Sequence, residues 1–157
     1  MTGITLHLGD CSQLIPLQTL FVDSVQAVCV QDYTPQQIAA WTSGIEDKAR
    51  WEDHLLNQYV LVAKKHNEIV GFGTLDKNEY LDMLFVHRDF QRQGIANLLY
   101  KALEHEAIQN KSIKLTVDAS ITALPFFEKM GFSILMKQTI VRKGIYLTNY
   151  SMVKALQ

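Results

Sequence analysis

The spacing of apolar side chains changes near residue 60 and divides the chain into a helical part and a stranded part. Between residues 14 and 30 apolar positions recur at helical spacing, with Leu17, Phe21, Val25 and Val28 on one face. Residues 33–44 predict a second helix, with Thr34 as cap, Pro35 at its first position and Gly44 as stop. Residues 47–58 form a third, weaker helical segment. Ahead of these, residues 4–10 alternate as a short strand, followed by Asp10 and Ser12 as helix-start candidates.

Beyond residue 58 the period drops to two. Residues 59–65, 68–76 and 80–89 read as strands separated by turns at His66-Asn67 and Lys77-Asn78, an antiparallel meander. An amphipathic helix follows, with Ile95, Leu98, Leu99, Ala102 and Leu103 on one face. Residues 113–119 form another strand, so strands on both sides of that helix pair in parallel through a right-handed crossover. Residues 122–132 give a short helix ended by Gly131, with Phe132 folding back, and the last two strands close as a hairpin. Without repeats or linker-like stretches, the pattern predicts one α/β domain over residues 1–157 with a mixed sheet.

Composition narrows the class. The 157 residues are 48% hydrophobic and 20% charged, which is ordinary for a globular domain with a real core. No basic-then-apolar leader and no membrane-length apolar run occurs, so a cytoplasmic protein with no membrane partner is expected. Two cysteines, Cys11 and Cys29, are too few for a disulfide framework or a cysteine-rich metal site. His7, His54, His66, His87 and His105 are scattered without metal-ligand spacing, so no metal is expected. Net charge is −1, but residues 1–60 hold seven acids against two bases, and residues 61–157 nine acids against thirteen bases. The asymmetry is either plain solvated surface or a second half that meets an anion and a first half that tolerates a cation. Nucleic acid is disfavoured, because no dense basic run accompanies the excess.

The approach to the fourth helix carries the chemistry. Gln91-Arg92-Gln93-Gly94 offers no Ser, Thr, Asp or Asn cap, and the first acid on the helix is Glu104. A helix start left this way has free N–H groups and a partial positive charge, which suit an anion. Gly94 lets backbone approach a ligand closely, and water is the alternative partner for those N–H groups. The run is neither a Walker loop nor a dinucleotide fingerprint.

The order of elements, the run Gln91-Arg92-Gln93-Gly94-Ile95-Ala96 and the later 123–132 segment (Ala-Leu-Pro-Phe-Phe-Glu-Lys-Met-Gly-Phe) resemble the GNAT superfamily of acyl-CoA-dependent N-acyltransferases. The resemblance covers essentially the whole chain and is closest to its small bacterial, YafP-type branch. It implies a twisted, mostly antiparallel sheet of about six to seven strands flanked by helices, with a splayed parallel pair at the coenzyme site. It further implies transfer of the acetyl group of acetyl-CoA directly to a primary amine of a small molecule or protein, in a protein that often forms a homodimer. A coenzyme A-binding sensor that has lost turnover is the alternative.

Carried over residue by residue, the resemblance puts Leu84, Phe85 and Val86 along the pantetheine arm. It puts Gln91, Arg92, Gln93, Gly94, Ile95, Ala96 and Asn97 around the pyrophosphate, and Ser120 near the pantetheine or adenine end. Asp82, two residues before Leu84 and so on its face by a period of two, is the first candidate base; a solvent-facing strand acid is the other reading. The family's thiolate-protonating tyrosine falls at Phe127, which has no proton to give and reads as apolar wall and core. Tyr146 and Tyr150 are candidate substitutes or packing residues. Trp41 and Trp51 fall where the family builds its acceptor wall, and the acidic first half suggests a cationic acceptor.

Overall fold

A computed structural model describes residues 3–156. Seven strands form one sheet in the order β1-β2-β3-β4-β5-β7-β6. The strands are β1 (Ile4–Leu8), β2 (Tyr59–Lys65), β3 (Glu68–Asp76), β4 (Tyr80–Val86), β5 (Lys114–Ser120), β6 (Ser133–Arg142) and β7 (Ile145–Ala155). Helices α1 (Leu14–Val28), α2 (Pro35–Thr42) and α3 (Lys48–Asn57) precede the meander, α4 (Ile95–Gln109) links β4 to β5, and α5 (Leu124–Lys129) follows β5.

Local chemistry accounts for most element ends. Thr34 and Gln37 form the reciprocal capping box that starts α2, where Pro35 occupies the first turn. Asp10 caps only a 3-10 turn at Cys11–Gln13, and α1 begins after it. Both central residues of the His66-Asn67 turn have positive φ, as do those of Lys143-Gly144, which matches the twist that two-residue hairpin turns need. Lys77 and Asn78 are left-handed as well. β4 is shorter than its apolar run, because His87 leaves the ladder and opens a 3-10 turn over Arg88–Phe90. Gly131 ends α5 with φ +101°, and the Phe132 N–H returns 3.0 Å to the Phe127 carbonyl.

The sheet separates two cores. On one face α4 and α5 bury Leu99, Tyr100, Leu103 and Phe127 against Leu81, Leu115 and Met152. On the other, α1, α2 and α3 bury Leu17, Phe21, Ile38, Trp51 and Leu55 against Val62, Phe72 and Leu147. α4 lies unusually close to β3. A Cβ on Gly71 would stand 3.0 Å from Ile95, and one on Gly73 would stand 2.8 Å from Leu103.

The sheet is not continuous. β4 and β5 are parallel and pair only at Tyr80↔Thr116 and Leu81↔Val117. Past that point they diverge, β4 staying with β3 as far as Val86 and β5 with β7 as far as Ser120. The expected splayed pair is therefore present.

Candidate active site

The gap between β4 and β5 is a cleft of about 300 Å3. Its walls come from both cores. Leu84, Ala123 and Phe127 face it from the α4–α5 side, and Phe21, Tyr33, Trp41 and Trp51 from the α1–α3 side. The cleft thus passes through the plane of the sheet, and two reactants can approach each other from opposite faces.

At the wide end, the chain leaving β4 turns into α4. Gly94 is the N-cap residue at φ +81°, ψ +9° with no side-chain cap, and no acid stands in the first turn. Among the described residues none accepts a hydrogen bond from the N–H groups of residues 92–97. A Cβ on Gly94 would meet nothing within 4 Å, so the cradle is open to a ligand. Arg92 is exposed and left-handed at φ +60°, an uncommon state for a residue with a Cβ. The buried Asn97 Oδ1 also lacks a partner. An open nest of N–H donors with a nearby guanidinium fits an anionic pyrophosphate.

The anticipated cofactor residues divide by role. Gln93, Ile95 and Ala96 lie in the loop and first turn, where their backbone is available. The Gln91 side chain is committed elsewhere, donating to the Val86 carbonyl at 2.7 Å and so fastening the loop to the end of β4. Leu84 and Phe85 line the cleft; Val86 is buried in the α4-side core. Ser120 lines the cleft and its Oγ accepts from the Ala123 N–H at 3.0 Å, a helix-entry role. Phe127 is 3% exposed and packs edge-on against Tyr100 and Phe132.

Asp82 requires a correction. A period of two put it on the face of Leu84, but β4 carries a bulge. Thr74 pairs with Met83 and Leu75 with Leu81, which leaves Asp82 as the extra residue. Leu84 accordingly packs toward α4 beside Gly73, whereas Asp82 turns to the α3 face. There Asp82 Oδ2 accepts from Gln58 Nε2 at 2.8 Å and lies 3.3 Å from His54 Nδ1. His54, one of five histidines scattered without metal-ligand spacing, also lines the cleft. Its i, i+4 spacing from Gln58 at the end of the third helical segment was the available signal.

Tyr146 and Tyr150 do not line the cleft. Tyr146 is 67% exposed, and Tyr150 packs against the α4-side core. The tyrosines that do line it are Tyr33 and Tyr80, and both hydroxyls are engaged. Tyr33 donates to the Thr148 carbonyl at 2.6 Å and accepts from the Ile121 N–H at 2.9 Å. Tyr80 donates to Asp118 at 2.9 Å, and burial followed by the Asp118 carboxylate pushes its ionisation up. Trp41 and Trp51 both line the cleft, with Trp51 also packed on Phe21 and Phe72. None of the seven acids of residues 1–60 lines it; the charged side chain which that half contributes is Arg50. The carboxylates that line the cleft are Asp82 and Asp118, both from the second half of the chain. Among the described residues no cluster could hold a metal ion, and no helix is long and apolar enough to cross a membrane.

A sheet split at one parallel pair, with an uncapped helix start at its open end, defines an acyltransferase architecture, and comparison with known proteins agrees. The chain belongs to the acetyltransferase (GNAT) domain family, whose model matches residues 29–154. It is 40% identical over 144 residues, 92% of this chain and 89% of the relative, to YafP of Escherichia coli (strain K12), described as an uncharacterized N-acetyltransferase. A GCN5-related N-acetyltransferase (Aminotransferase, Class-II) from Rhodopseudomonas palustris superposes with a TM-score of 0.95 at 32% identity, covering 99% of this chain and 98% of that one. PaiA N-acetyltransferase from Thermoplasma acidophilum, solved in complex with coenzyme A, shares the fold with a TM-score of 0.78 at 16% identity, covering 97% and 98%.

Proposed function

We propose that this protein transfers the acetyl group of acetyl-CoA directly to a primary amine. The observation that carries the reading is the open set of N–H donors at the start of α4, placed at the wide end of the β4–β5 gap. The N–H groups of residues 92–97, with Arg92 beside them, would hold the pyrophosphate. The unpaired edges of β4 and β5 would receive the pantetheine arm as an added strand, where main-chain groups give affinity independently of side chains. The coenzyme A complex of the Thermoplasma relative supports a coenzyme in this fold.

The reaction balances simply. The amine lone pair attacks the acetyl carbon, the C–S bond breaks, the thiolate leaves, and one proton is lost from nitrogen. Free N–H groups along the splayed part of β4 suit the oxyanion that forms in between. Phe127 cannot protonate the sulfur, and both cleft tyrosines are hydrogen-bonded elsewhere, so the thiolate departs without a tyrosine donor. The groups in the cleft able to take the amine proton are Asp82, His54 and Asp118, of which Asp118 already accepts from Tyr80 and Gln138. Phe21, Tyr33, Trp41 and Trp51 favour an amine carried on a flat apolar body over a polyamine.

Calorimetry with coenzyme A and thiol release with an amine panel test this together. Gly94→Glu, which places a carboxylate among the donors, is expected to weaken coenzyme A by about tenfold or more, the worth of a charge-assisted contact. Phenethylamine and tyramine are expected to turn over with a lower KM than spermidine. Unchanged affinity in Gly94→Glu rejects the cradle. Tight coenzyme A binding with no turnover of any amine instead assigns a coenzyme-binding module.

A further inference from the structure

We infer that His54 is the proton acceptor of this site and that Asp82 is its positioning partner rather than the base. The assignment rests on the transfer reaction proposed above. It starts from the bulge, which adds one residue to β4 and swings the Asp82 carboxylate toward α3. His54 and Gln58 stand four residues apart at the end of α3 and meet the same carboxylate oxygen, Oδ2. The hydrogen bond from Gln58 fixes the Asp82 carboxylate beside the ring of His54.

The consequence for the imidazole follows from its two nitrogens. Nδ1 lies 3.3 Å from the carboxylate, and a neutral ring that keeps its hydrogen on that side leaves the Nε2 lone pair free. Among the described residues no partner occupies Nε2, and His54 is part of the cleft wall. The side chains of His54 and Asp82 are 22% and 19% exposed, so the pair is sheltered and still reachable from the cleft. In the transfer step Nε2 accepts the proton leaving the amine nitrogen as the C–S bond breaks, and Asp82 steadies the imidazolium that results. The proton then passes to solvent.

Steady-state kinetics with tyramine and acetyl-CoA, on His54→Ala, Asp82→Asn and the double variant, tests both roles. General-base catalysis is worth about 10²–10⁴-fold, so His54→Ala is expected to lose at least about 100-fold in kcat with its coenzyme A affinity unchanged. Free imidazole is expected to restore part of that loss. Asp82→Asn alone loses about 10–100-fold, as a partner that orients an imidazole does. Once His54 is gone, Asp82→Asn costs nothing more, and the imidazole-rescued rate is the same in the double variant as in His54→Ala. A His54→Ala enzyme within threefold of wild type, or an Asp82→Asn loss as large in the His54→Ala background as in wild type, overturns the assignment while leaving acetyl transfer intact. A wild type that binds coenzyme A yet acetylates no amine overturns the base and the transfer reading together. Long-range nitrogen–proton NMR gives a readout independent of turnover: the hydrogen of neutral His54 is expected on Nδ1 in wild type, and finding it on Nε2 also overturns the pairing.

Discussion

One half-buried carboxylate on the α4 face shows how charge is managed away from the cleft. Glu104 Oε2 accepts from the Tyr100 hydroxyl at 2.6 Å and from Lys154 Nζ at 2.5 Å, joining α4 to β7. Burial opposes ionisation of Glu104, yet hydrogen bonds from Lys154 and Tyr100 outweigh it and hold the carboxyl below its ordinary 4.5. A lowered carboxyl contributes stability that is complete above the unfolded value and disappears as pH falls through the folded one. The melting temperatures of wild type and Glu104→Gln are therefore expected to differ most at pH 7 and to converge as pH drops below 4.5. A gap that stays constant over that range would show that the carboxylate charge is not what stabilises the joint. At this same scale the sequence was least informative. The β4 bulge breaks the period of two between Asp82 and Met83, and a bulge is dictated by the partner strand, not by the residues of β4. His54 is 28 positions away from Asp82, so only the folded chain shows them to be a pair.

Elements were far easier to read, because their signals are local. The cap at Thr34, the turn at His66-Asn67 and the stop at Gly131 all act within a few residues, and all appear where expected. The missing cap of α4 was equally visible, since a cap is a matter of one or two side chains. What could not be read was the seating of α4. Gly71 and Gly73 lie in an unremarkable strand pattern, and their need for a bare backbone comes from Ile95, Leu99 and Leu103, 24 to 30 residues later. Gly73→Ala puts a methyl 2.8 Å from Leu103 and 3.2 Å from the Met83 carbonyl. It is expected to destabilise the fold by about 1–3 kcal/mol, measured by chemical denaturation. Because α4 then moves off the sheet, coenzyme A affinity should fall as well. A stable variant with normal affinity would mean that α4 shifts without disturbing its own first turn.

For the whole molecule, the decisive feature is that the cleft is walled by residues from both faces of the sheet. The donor cradle belongs to the α4–α5 side, and His54 with its aromatic neighbours to the α1–α3 side. In the direct transfer proposed above, two substrates that meet from opposite faces need not leave in turn, and no acyl-enzyme is required. Cys29 is buried, and burial raises its thiol. Initial-rate plots against both substrates should therefore intersect; parallel lines would point to a covalent intermediate and contradict direct transfer.

The two-pair contact between β4 and β5 has a mechanical meaning of its own. Strands β1 to β4 form one panel and β5 to β7 another, stitched along their shared border at Tyr80↔Thr116 and Leu81↔Val117. Such a border opens at little free-energy cost, and a molecule lodged between the panels acts as the missing stitching. The amides of residues 82–86 and 118–120 that face the gap, rather than β3 or β7, should thus exchange quickly in the free protein and slow sharply when coenzyme A is added. The coenzyme would then be part of the tailoring of the sheet as much as a guest within it, and cellular supply of coenzyme A would help set how long each copy of the protein survives proteolysis.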